Sequence, residues 1–287
     1  KSNTEPPNDG DYYPPGWKHN GLSFEQTIKE SAKFKNKGKD SLNAEELIIA
    51  GNAALLRSCY GTPDFILELG NYFIGKYDQD PFYNDYSLLK NEKYSEETII
   101  TLNGSCPEKN GFDIKNWKGD KVWVNPPFSN LSDGAELCNQ YSQFEHKPGI
   151  AFICNLDYSK YFQECMKYAD YLLILGRIQF LPLPGLKNSQ PTGSSSMFIY
   201  NSEKKNIQTG FLNFKSKGYY IVNLENKSTE KCNEITSFLK NKWITIGINI
   251  YTKSEDWLGR ALTNPSYAKN NVSEYDINTE MENLMIH

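Results

Sequence analysis

Short apolar segments alternate with helical segments along the middle of the chain, and this alternation constrains the fold more than any other feature. Strand-like apolar segments occur at residues 122–124, 150–155, 171–175, 197–200 and 219–222. Between them, one helical segment is capped by Ser132 or Asp133 and continues to about Phe144, and another covers residues 158–168. Strands that alternate with helices of this length are typical of a mainly parallel sheet covered on both faces. The sequence therefore predicts an α/β fold.

Helix-start signals precede this region. Asn43 is expected to cap a helix with apolar periodicity, and Thr62 to cap another with Pro63 at its first position. A polar helix near Ser23 leads into a stretch that is either a solvated face or an arm that contacts phosphates. Its lysines are Lys33, Lys35, Lys37 and Lys39.

Three regions follow from this pattern. We expect residues 1–42 to be an irregular, partly disordered extension, 43–200 a core, and 201–287 an extension that completes the sheet or forms a small lobe. Basic and aromatic side chains interleave over residues 204–220, which suits either nucleic-acid contact or two strands at a sheet edge, and we favour the strands. Beyond them, two helices at 228–239 and 255–262 flank a strand at 244–251.

Composition excludes several classes of protein. The net charge of −4 argues against nucleic-acid binding by bulk electrostatics, although it leaves room for a local basic groove. No apolar run approaches the roughly 20 residues that would span a bilayer, so we expect no membrane partner. The six cysteines form no C-x-x-C pair and there are three histidines, so we expect no metal site. Reduced, mostly buried thiols in an intracellular protein are the simplest interpretation.

The tetrapeptide Asn125-Pro126-Pro127-Phe128 directly follows the strand at 122–124. In α/β sheets, ligands bind outside the carboxyl ends of the strands, which is where these residues are expected to lie. One chemistry that residues of these types suit is methylation of an exocyclic amine, such as that of adenine. This amine is a poor nucleophile because its lone pair is delocalised into the ring. Hydrogen bonds from its two N–H groups, to the Asn125 side-chain oxygen and the Pro126 carbonyl, would drive the nitrogen towards a tetrahedral, nucleophilic geometry.

The other residues of the tetrapeptide fit the same chemistry. Pro126 and Pro127 restrict the backbone and so hold the carbonyl in one direction. Phe128 offers a ring face for a base rotated out of the helix. The alternative is an ordinary Pro-Pro turn, since such a tetrapeptide arises by chance in on the order of one chain in a hundred.

The tetrapeptide belongs to a series of five short motifs between about residues 60 and 200. In their content and their order, these motifs resemble those of the phage-type DNA adenine-N6 methyltransferase (Dam-like) family. The motifs are Gly61-Thr62-Pro63-Asp64, Tyr77-Asp78-Gln79-Asp80-Pro81, Val122-Trp123-Val124-Asn125-Pro126-Pro127-Phe128-Ser129, Gly176-Arg177-Ile178-Gln179-Phe180 and Ser195-Ser196-Met197-Phe198-Ile199-Tyr200. The resemblance implies a Rossmann-like methyltransferase sheet, S-adenosyl-L-methionine as cofactor and double-stranded DNA as partner.

The same resemblance implies cofactor contacts. Thr62 and Pro63 match the segment that lines the methionine end of the cofactor, and Asp80-Pro81 matches the first cofactor motif. Asp113 precedes the catalytic strand, where related enzymes often place an acid that contacts the cofactor's adenine. The sequence departs from the wider methyltransferase pattern because no Gly-x-Gly follows Asp80. Turn-capping roles are the alternatives for Asp80 and Asp113.

Two basic residues are candidates for DNA contact. Arg177 follows a strand end and is expected to approach a phosphate or the active-site loop, with a surface ion pair as the alternative. Lys187 lies in a Pro-, Gly- and Ser-rich stretch, 181–193, that we expect to be a mobile loop facing DNA.

The leading hypothesis is therefore a DNA adenine-N6 methyltransferase with an intracellular location, the cytoplasm of a bacterial host if the chain is phage-encoded. A catalytically inactive subunit of the same fold that binds nucleic acid or partner proteins is the alternative, motivated by the missing glycines. A third possibility keeps the enzyme and changes the acceptor to cytosine N4 or an RNA base.

Overall fold

A computed structural model describes residues 17–83, 87–89, 92–94, 110–156, 159–183, 186, 194–215, 217–225 and 230. The expected tail before residue 17, and the helices and strand expected at 228–262, lie outside these residues, apart from residue 230. The chain forms two compact units. The first comprises Lys1–Asp64, Gln79–Lys118 and Gln179–Gln190, and the second comprises Phe65–Asp78, Gly119–Ile178 and Pro191–His287.

The first unit contains two helices with complete caps. Helix α1 is Phe24–Ala32 and helix α2 is Ala44–Ser58. Ser23 and Asn43 each accept a hydrogen bond from the third backbone N–H of their helix, and the Gln or Glu there bonds back to the cap. These reciprocal bonds satisfy backbone groups that a helix start leaves unpaired. The prediction that Asn43 caps a helix is confirmed.

A small apolar cluster holds the first unit together. Phe24, Leu56 and Cys59 pack with Leu183, and Trp17, Ile28 and Leu186 lie against them. Leu183 belongs to the stretch expected to be a mobile loop. Its burial, and the paired backbone bonds between Leu181 and Gly61, show that the start of this stretch is fixed.

The lysine-rich stretch after α1 is a solvated surface with ion pairs. Lys33 pairs with Glu30, and Lys37 pairs with Glu46 at 2.8 Å. Since these lysines are neutralised by neighbouring carboxylates, they offer little net charge to a phosphate.

The second unit is built on a six-stranded sheet. Helix α3, Asp64–Ile74, begins directly after Pro63, so the predicted start, with Pro63 as the first helical residue, is wrong by one residue. The further helices are α4, Leu131–Tyr141, and α5, Lys160–Tyr168. The strands are β1, Lys121–Val124; β2, Gly149–Asn155; β3, Tyr171–Gly176; β4, Ser195–Tyr200; β5, Gly210–Phe214; and β6, Lys217–Asn223. Short 3₁₀ helices cover Lys39–Ser41, Ile114–Asn116 and Phe128–Asn130.

The strand order is β1-β2-β4-β3-β6-β5, and the sheet is mixed. The pairing of β1 with β2 is parallel, and the other four pairings are antiparallel. The prediction of a mainly parallel sheet is wrong, whereas the α/β class is confirmed. The reason is that two consecutive strands can be parallel only if a crossover connection of about a dozen residues, usually a helix, joins them. Helices α4 and α5 supply it after β1 and β2, but two residues join β5 to β6.

The pairing also fixes which strand ends share an edge. Strands β1, β2, β3 and β5 point in one direction, and β4 and β6 point in the other. The carboxyl ends of the first four therefore lie at one edge of the sheet, together with the amino ends of β4 and β6. We call this the carboxyl edge.

Helices cover both faces of the sheet, as predicted. A Cβ on Gly70 of α3 would lie 3.1 Å from Ala151 Cβ, whereas a Cβ on Gly134 of α4 would lie 3.7 Å from Phe152. Consecutive residues of a strand point to opposite faces, so α3 and α4 lie on opposite faces. Phe162 of α5 packs on Phe198 at 4.8 Å between ring centroids, and Phe198 pairs with Phe152, which places α5 beside α4.

The core of this unit is the centre of the sheet, since every residue of β3 and β4 is buried. The predicted cap of α4 is wrong by two or three residues: Asn130 occupies that position, and its side chain bonds to the Asp133 carboxylate and not to a backbone N–H of the helix. Among the helices that the structure describes, none is long and apolar enough to cross a membrane.

Candidate active site

Strand β1 carries Asn125 to the carboxyl edge. Val122, Trp123 and Val124 are buried and hold the strand in the core, and Asn125 is the first residue beyond its end, with a half-buried side chain. The backbone of Asn125 is therefore held by the buried strand that precedes it. The sequence predicted this position.

The two prolines after Asn125 are buried, and their carbonyls differ in one respect. The Pro127 carbonyl accepts the backbone N–H of Asn130 at 2.8 Å. Within the described residues, no donor bonds to the Pro126 carbonyl. The Pro126 ring lies against α4, because a Cβ on Gly134 would be 2.6 Å from Pro126 Cγ. Thus the carbonyl that the proposed chemistry needs is available on a backbone held on one side by a helix.

Phe128 begins the 3₁₀ helix that leads into α4. Its side chain is 42% exposed, which is unusual for a phenylalanine. Leu131 at the start of α4 is buried and anchors the segment behind it. An aromatic ring is thus presented to solvent three residues after Asn125.

Two further strands end at the same edge. Asn155 is the last residue of β2 and Gly176 the last of β3, and both pair with Ser195 at the start of β4. With strands about 4.8 Å apart, Asn155 and Gly176 are separated by roughly 10 Å across the sheet. The carboxyl edge therefore combines two amides with the arginine that follows Gly176.

An irregular backbone conformation at Gly176 orients the side chain of Arg177. The pairing of β3 with β4 shifts between Ile174 and Gly176, and Gly176 has a φ of +70°. Bulges of this kind bend a strand and redirect the next side chain, and glycine tolerates the left-handed conformation. Arg177 is half-buried, and no carboxylate among the described residues forms an ion pair with it.

The residues expected to contact a cofactor lie in the first unit. Thr62 and Pro63 are buried before α3, next to the bridge that joins Gly61 to Leu181. This bridge holds the Thr-Pro segment in place by two backbone hydrogen bonds, of 2.9 and 2.8 Å. Sequence reasoning recognised the helix start and missed the bridge.

Asp80 is a buried acid that organises its own loop. The carboxylate is 4% exposed and accepts hydrogen bonds from the Phe82 backbone N–H and the Ser87 hydroxyl, both at 3.0 Å. Burial raises the pKa of Asp80 from 3.8 to about 7, and these two hydrogen bonds oppose the rise. The turn-capping alternative for Asp80 thus describes what its carboxylate does within the chain. Pro81, beside it, is buried.

Asp113 also caps a turn. Its carboxylate accepts the backbone N–H of Lys115 at 3.1 Å, at the start of the 3₁₀ helix Ile114–Asn116. Lys187, the second residue expected to contact DNA, lies outside the described residues.

The structure brings together only some of the predicted residues. Asn125, Pro126, Pro127, Phe128 and Arg177 belong to the carboxyl edge of the second unit. Thr62, Pro63, Asp80, Pro81 and Asp113 belong to the first unit.

No protein-family model matches this chain, and no curated protein or solved structure is significantly similar to it.

The four cysteines that the structure describes are buried and offer no alternative chemistry. Cys59, Cys138, Cys154 and Cys165 are buried free thiols. Burial raises the pKa of Cys59 to about 12 and that of Cys138 well above its ordinary value. A thiol with such a pKa is a poor nucleophile at neutral pH. Among the described residues, no group of His, Cys, Asp and Glu is arranged to hold a metal ion.

A surface groove of about 680 Å³ lies between α4 and α5. Its described lining includes Ala135, Tyr161 and Tyr168, and it contains no predicted site residue. The groove therefore does not overlap the candidate site at the carboxyl edge.

Two residues of the site were missed from the sequence. Asn155 was visible as a polar residue that ends an apolar strand, the same signal that identified Asn125. Gly134 gave no such signal, because its role depends on the approach of α4 to Pro126.

Proposed function

We propose that this chain is a Rossmann-like methyltransferase that transfers a methyl group from S-adenosylmethionine to the N6 amine of adenine in DNA. The observation that carries the proposal is the pair of acceptors at the carboxyl edge. Asn125 and Pro126 are adjacent in the chain, so the Asn125 side-chain oxygen and the Pro126 carbonyl are two acceptors at one strand end, and the Pro127 carbonyl accepts the Asn130 N–H. A primary amine with two N–H groups is the ligand that matches two adjacent acceptors.

The chemistry needs positioning more than acid or base strength. The amine nitrogen forms a bond to the methyl carbon, the carbon–sulfur bond breaks with its electron pair on sulfur, and one N–H proton is released to water. S-adenosylmethionine is consumed as a second substrate. Because its sulfur is cationic, the departing thioether is neutral and no metal is required. The task of the site is to hold the amine in line for attack.

Phe128 has a role in this proposal that its exposure supports. A base inside a duplex cannot reach Asn125, so the adenine must be rotated out of the stack. An exposed ring three residues from Asn125 offers a face on which the extruded base stacks. Stacking of a base on an aromatic side chain contributes about 1–3 kcal/mol.

Asp80, Thr62, Pro63, Pro81 and Asp113 are proposed to contact S-adenosylmethionine on the basis of the resemblance. One property of Asp80 supports its assignment. The carboxylate is costly to ionise in its buried position, as its raised pKa shows. A cationic ammonium beside it would offset that cost.

Purified protein with duplex DNA and S-adenosylmethionine carrying a labelled methyl group tests the proposal. We expect label in the DNA, and a loss on the order of 10²-fold or more in Asn125→Ala, comparable with removal of one hydrogen bond in other enzymes. Asn213→Ala is the matched control, because Asn213 is exposed on the outer strand β5. A folded wild-type protein that binds DNA and leaves it unlabelled contradicts the proposal.

An inactive subunit that binds nucleic acid or partner proteins is the second candidate. The bonds of Asp80 to its own loop favour it, together with the buried Phe82 where a glycine would allow close approach of a ligand. Titration calorimetry with S-adenosylmethionine separates the candidates: the enzyme requires saturable binding, and the inactive subunit does not.

A further inference from the structure

Strand β2 ends on an asparagine that the proposed reaction does not yet use. Asn155 is the last residue of β2, and it pairs with Ser195 in the uninterrupted register between β2 and β4. Its side chain is half-buried. Within the described residues, no donor or acceptor bonds to this amide. Its polar atoms are therefore available to a ligand at the carboxyl edge.

Other half-buried asparagines of the second unit differ in this respect. Asn139 accepts the Tyr200 hydroxyl at 3.0 Å, and Asn223 donates to a backbone carbonyl at 2.8 Å. Asn201 donates to two backbone carbonyls, at 2.9 and 3.0 Å. These three amides hold loops and helices in place. Asn155 has no such bond, so the packing of the unit does not explain its amide.

Asn125 and Asn155 lie on the same face of the sheet. Successive residues of a strand point to opposite faces. Ala151, four residues before Asn155, lies against α3, so Asn155 is on the face that α3 covers. The Pro126 ring lies against α4 on the opposite face. Because a residue before a proline is extended, Asn125 points away from α4 and shares the face of Asn155.

The two amides are close enough to contact one base. Val124 and Phe152 are level across β1 and β2. Asn125 is the next residue after Val124, and Asn155 is three residues after Phe152. With strands about 4.8 Å apart and a rise of about 3.3 Å per residue, the two Cα atoms are separated by roughly 8 Å. Since a hydrogen bond adds about 3 Å to the reach of each side chain, both can bond to the same ring.

Adenine presents an acceptor beside its amine. In the proposed reaction, the two N–H groups of the amine are donated to Asn125 and to the Pro126 carbonyl, and the neighbouring N7 then lacks a donor. The NH₂ of an asparagine amide supplies one. Asparagine is also the side chain that pairs with the amine and N7 edge of adenine in DNA recognition. Cytosine has no counterpart of N7.

We propose that Asn155 is a specificity-determining residue that donates a hydrogen bond from its side-chain NH₂ to N7 of the target adenine. The inference rests on the proposed function, because it takes Asn125 and Pro126 as the acceptors of the adenine amine. This bond selects adenine over cytosine at a site whose two acceptors fit the amine of either base.

A long duplex of mixed sequence, copied by a polymerase with either dATP or 7-deaza-dATP, tests the contact. The analogue keeps the amine and the pairing with thymine, and carries a C–H group in place of N7. Wild type is expected to lose on the order of fivefold in kcat/KM on the analogue duplex.

Two variants complete the test. Asn155→Ala and Asn155→Asp both lack the amide N–H donors, and each should lose on the order of fivefold on ordinary DNA with no further loss on the analogue. A purely structural role would leave the loss on the analogue unchanged in both. Asn213→Ala is the control, because Asn213 is exposed on β5, and it should behave as wild type. Thermal unfolding verifies that each variant is folded.

Affinity for the same two duplexes, measured by competition anisotropy without S-adenosylmethionine, gives a readout that does not need methyl transfer. We expect wild type to bind the ordinary duplex more tightly, and the two Asn155 variants to bind both duplexes equally.

The outcomes separate this inference from the proposed function. Equal losses on the analogue in wild type and both variants, or no loss in wild type, overturn the role of Asn155 even if methyl groups are transferred. Absence of methyl transfer, with a preference for the ordinary duplex that the Asn155 variants lack, overturns the proposed reaction and retains the contact.

Discussion

Gly134 of α4 lies so close to Pro126 that a Cβ at position 134 would be 2.6 Å from Pro126 Cγ. A proline ring cannot rotate away from such a contact, so either the helix or the Pro126 backbone must move when the side chain grows. The first turns of α4 thus position the carbonyl that is proposed to accept the amine. This relationship links a packing contact to the chemistry of the site.

Replacement of Gly134 by alanine is expected to impair both stability and activity. Overpacking costs about 1–3 kcal/mol, partly offset by about 1 kcal/mol from the higher helix propensity of alanine. Displacement of the carbonyl by about 1 Å is expected to slow methyl transfer on the order of 10²-fold. Urea unfolding and the labelled-methyl assay measure the two effects.

Gly51→Ala is the matched control for this substitution. Gly51 lies within α2 and nothing approaches its Cβ position within 4 Å, so alanine should stabilise the protein by about 0.5–1 kcal/mol. Methyl transfer should not change. Equal rates in Gly134→Ala and wild type would show that the packing of α4 does not position the carbonyl.

Phe128→Ala is expected to reduce kcat/KM for DNA by about 5- to 150-fold, which corresponds to the loss of about 1–3 kcal/mol of base stacking. Its effect on the free energy of unfolding should be within about 0.5 kcal/mol, as for most surface positions. Phe144 is a close control, since its side chain is 41% exposed against 42% for Phe128. Phe144 follows α4 at the opposite edge of the sheet, and its replacement should leave kcat/KM unchanged. Equal losses in the two variants would refute the stacking role.

Gly176 is expected to be sensitive to any side chain because of its φ of +70°. Alanine there should cost about 1–2 kcal/mol of stability, and asparagine less, because asparagine is enriched in the left-handed conformation. DNA affinity should fall in the same order, since Gly176 orients Arg177. Chemical denaturation and anisotropy of the two variants measure these rankings, and an alanine variant as stable as wild type would contradict the account.

Stability should depend on pH through Asp80. Its pKa is 3.8 in the unfolded chain and about 7 in the folded one, so between these values the folded protein retains a proton that the unfolded chain releases. The free energy of unfolding therefore falls as the pH rises from about 4 to about 7 and is constant above that. The loss is at most about 4 kcal/mol.

Asp80→Asn isolates this contribution, because asparagine does not titrate and still offers an oxygen to the Phe82 N–H. Relative to wild type, the variant should become progressively more stable between pH 4 and pH 7. Urea unfolding of both proteins at several pH values measures the difference. If the free energy of unfolding changed with pH equally in both proteins, Asp80 would ionise normally in the folded state.

The sequence predicted the elements of the fold better than their arrangement. Apolar runs and helix caps such as Asn43 are local signals, and they identified strands and helix starts to within a few residues. Strand direction is not local. It depends on whether a helix joins two strands, and the Pro-, Gly- and Ser-rich stretch before β4 was the sign of an antiparallel return that the prediction did not use.

The site shows the same division. Asn125 was recognised because a polar residue directly follows an apolar strand. The bulge at Gly176 depends on the pairing of β3 with β4, and the approach of Gly134 to Pro126 depends on how α4 packs after its turn. Hydrophobic periodicity and residue spacing do not reveal such contacts.

Nucleoside analysis by mass spectrometry of DNA from cells that express the wild-type chain or Asn125→Ala tests the central claim most directly. The account predicts N6-methyladenine above the level of non-expressing cells with the wild-type chain, and none above that level with Asn125→Ala at equal protein abundance. N4-methylcytosine in place of N6-methyladenine would assign the site to a different amine. No modified base with either protein, or the same amount with both, would contradict the role of Asn125 in methyl transfer.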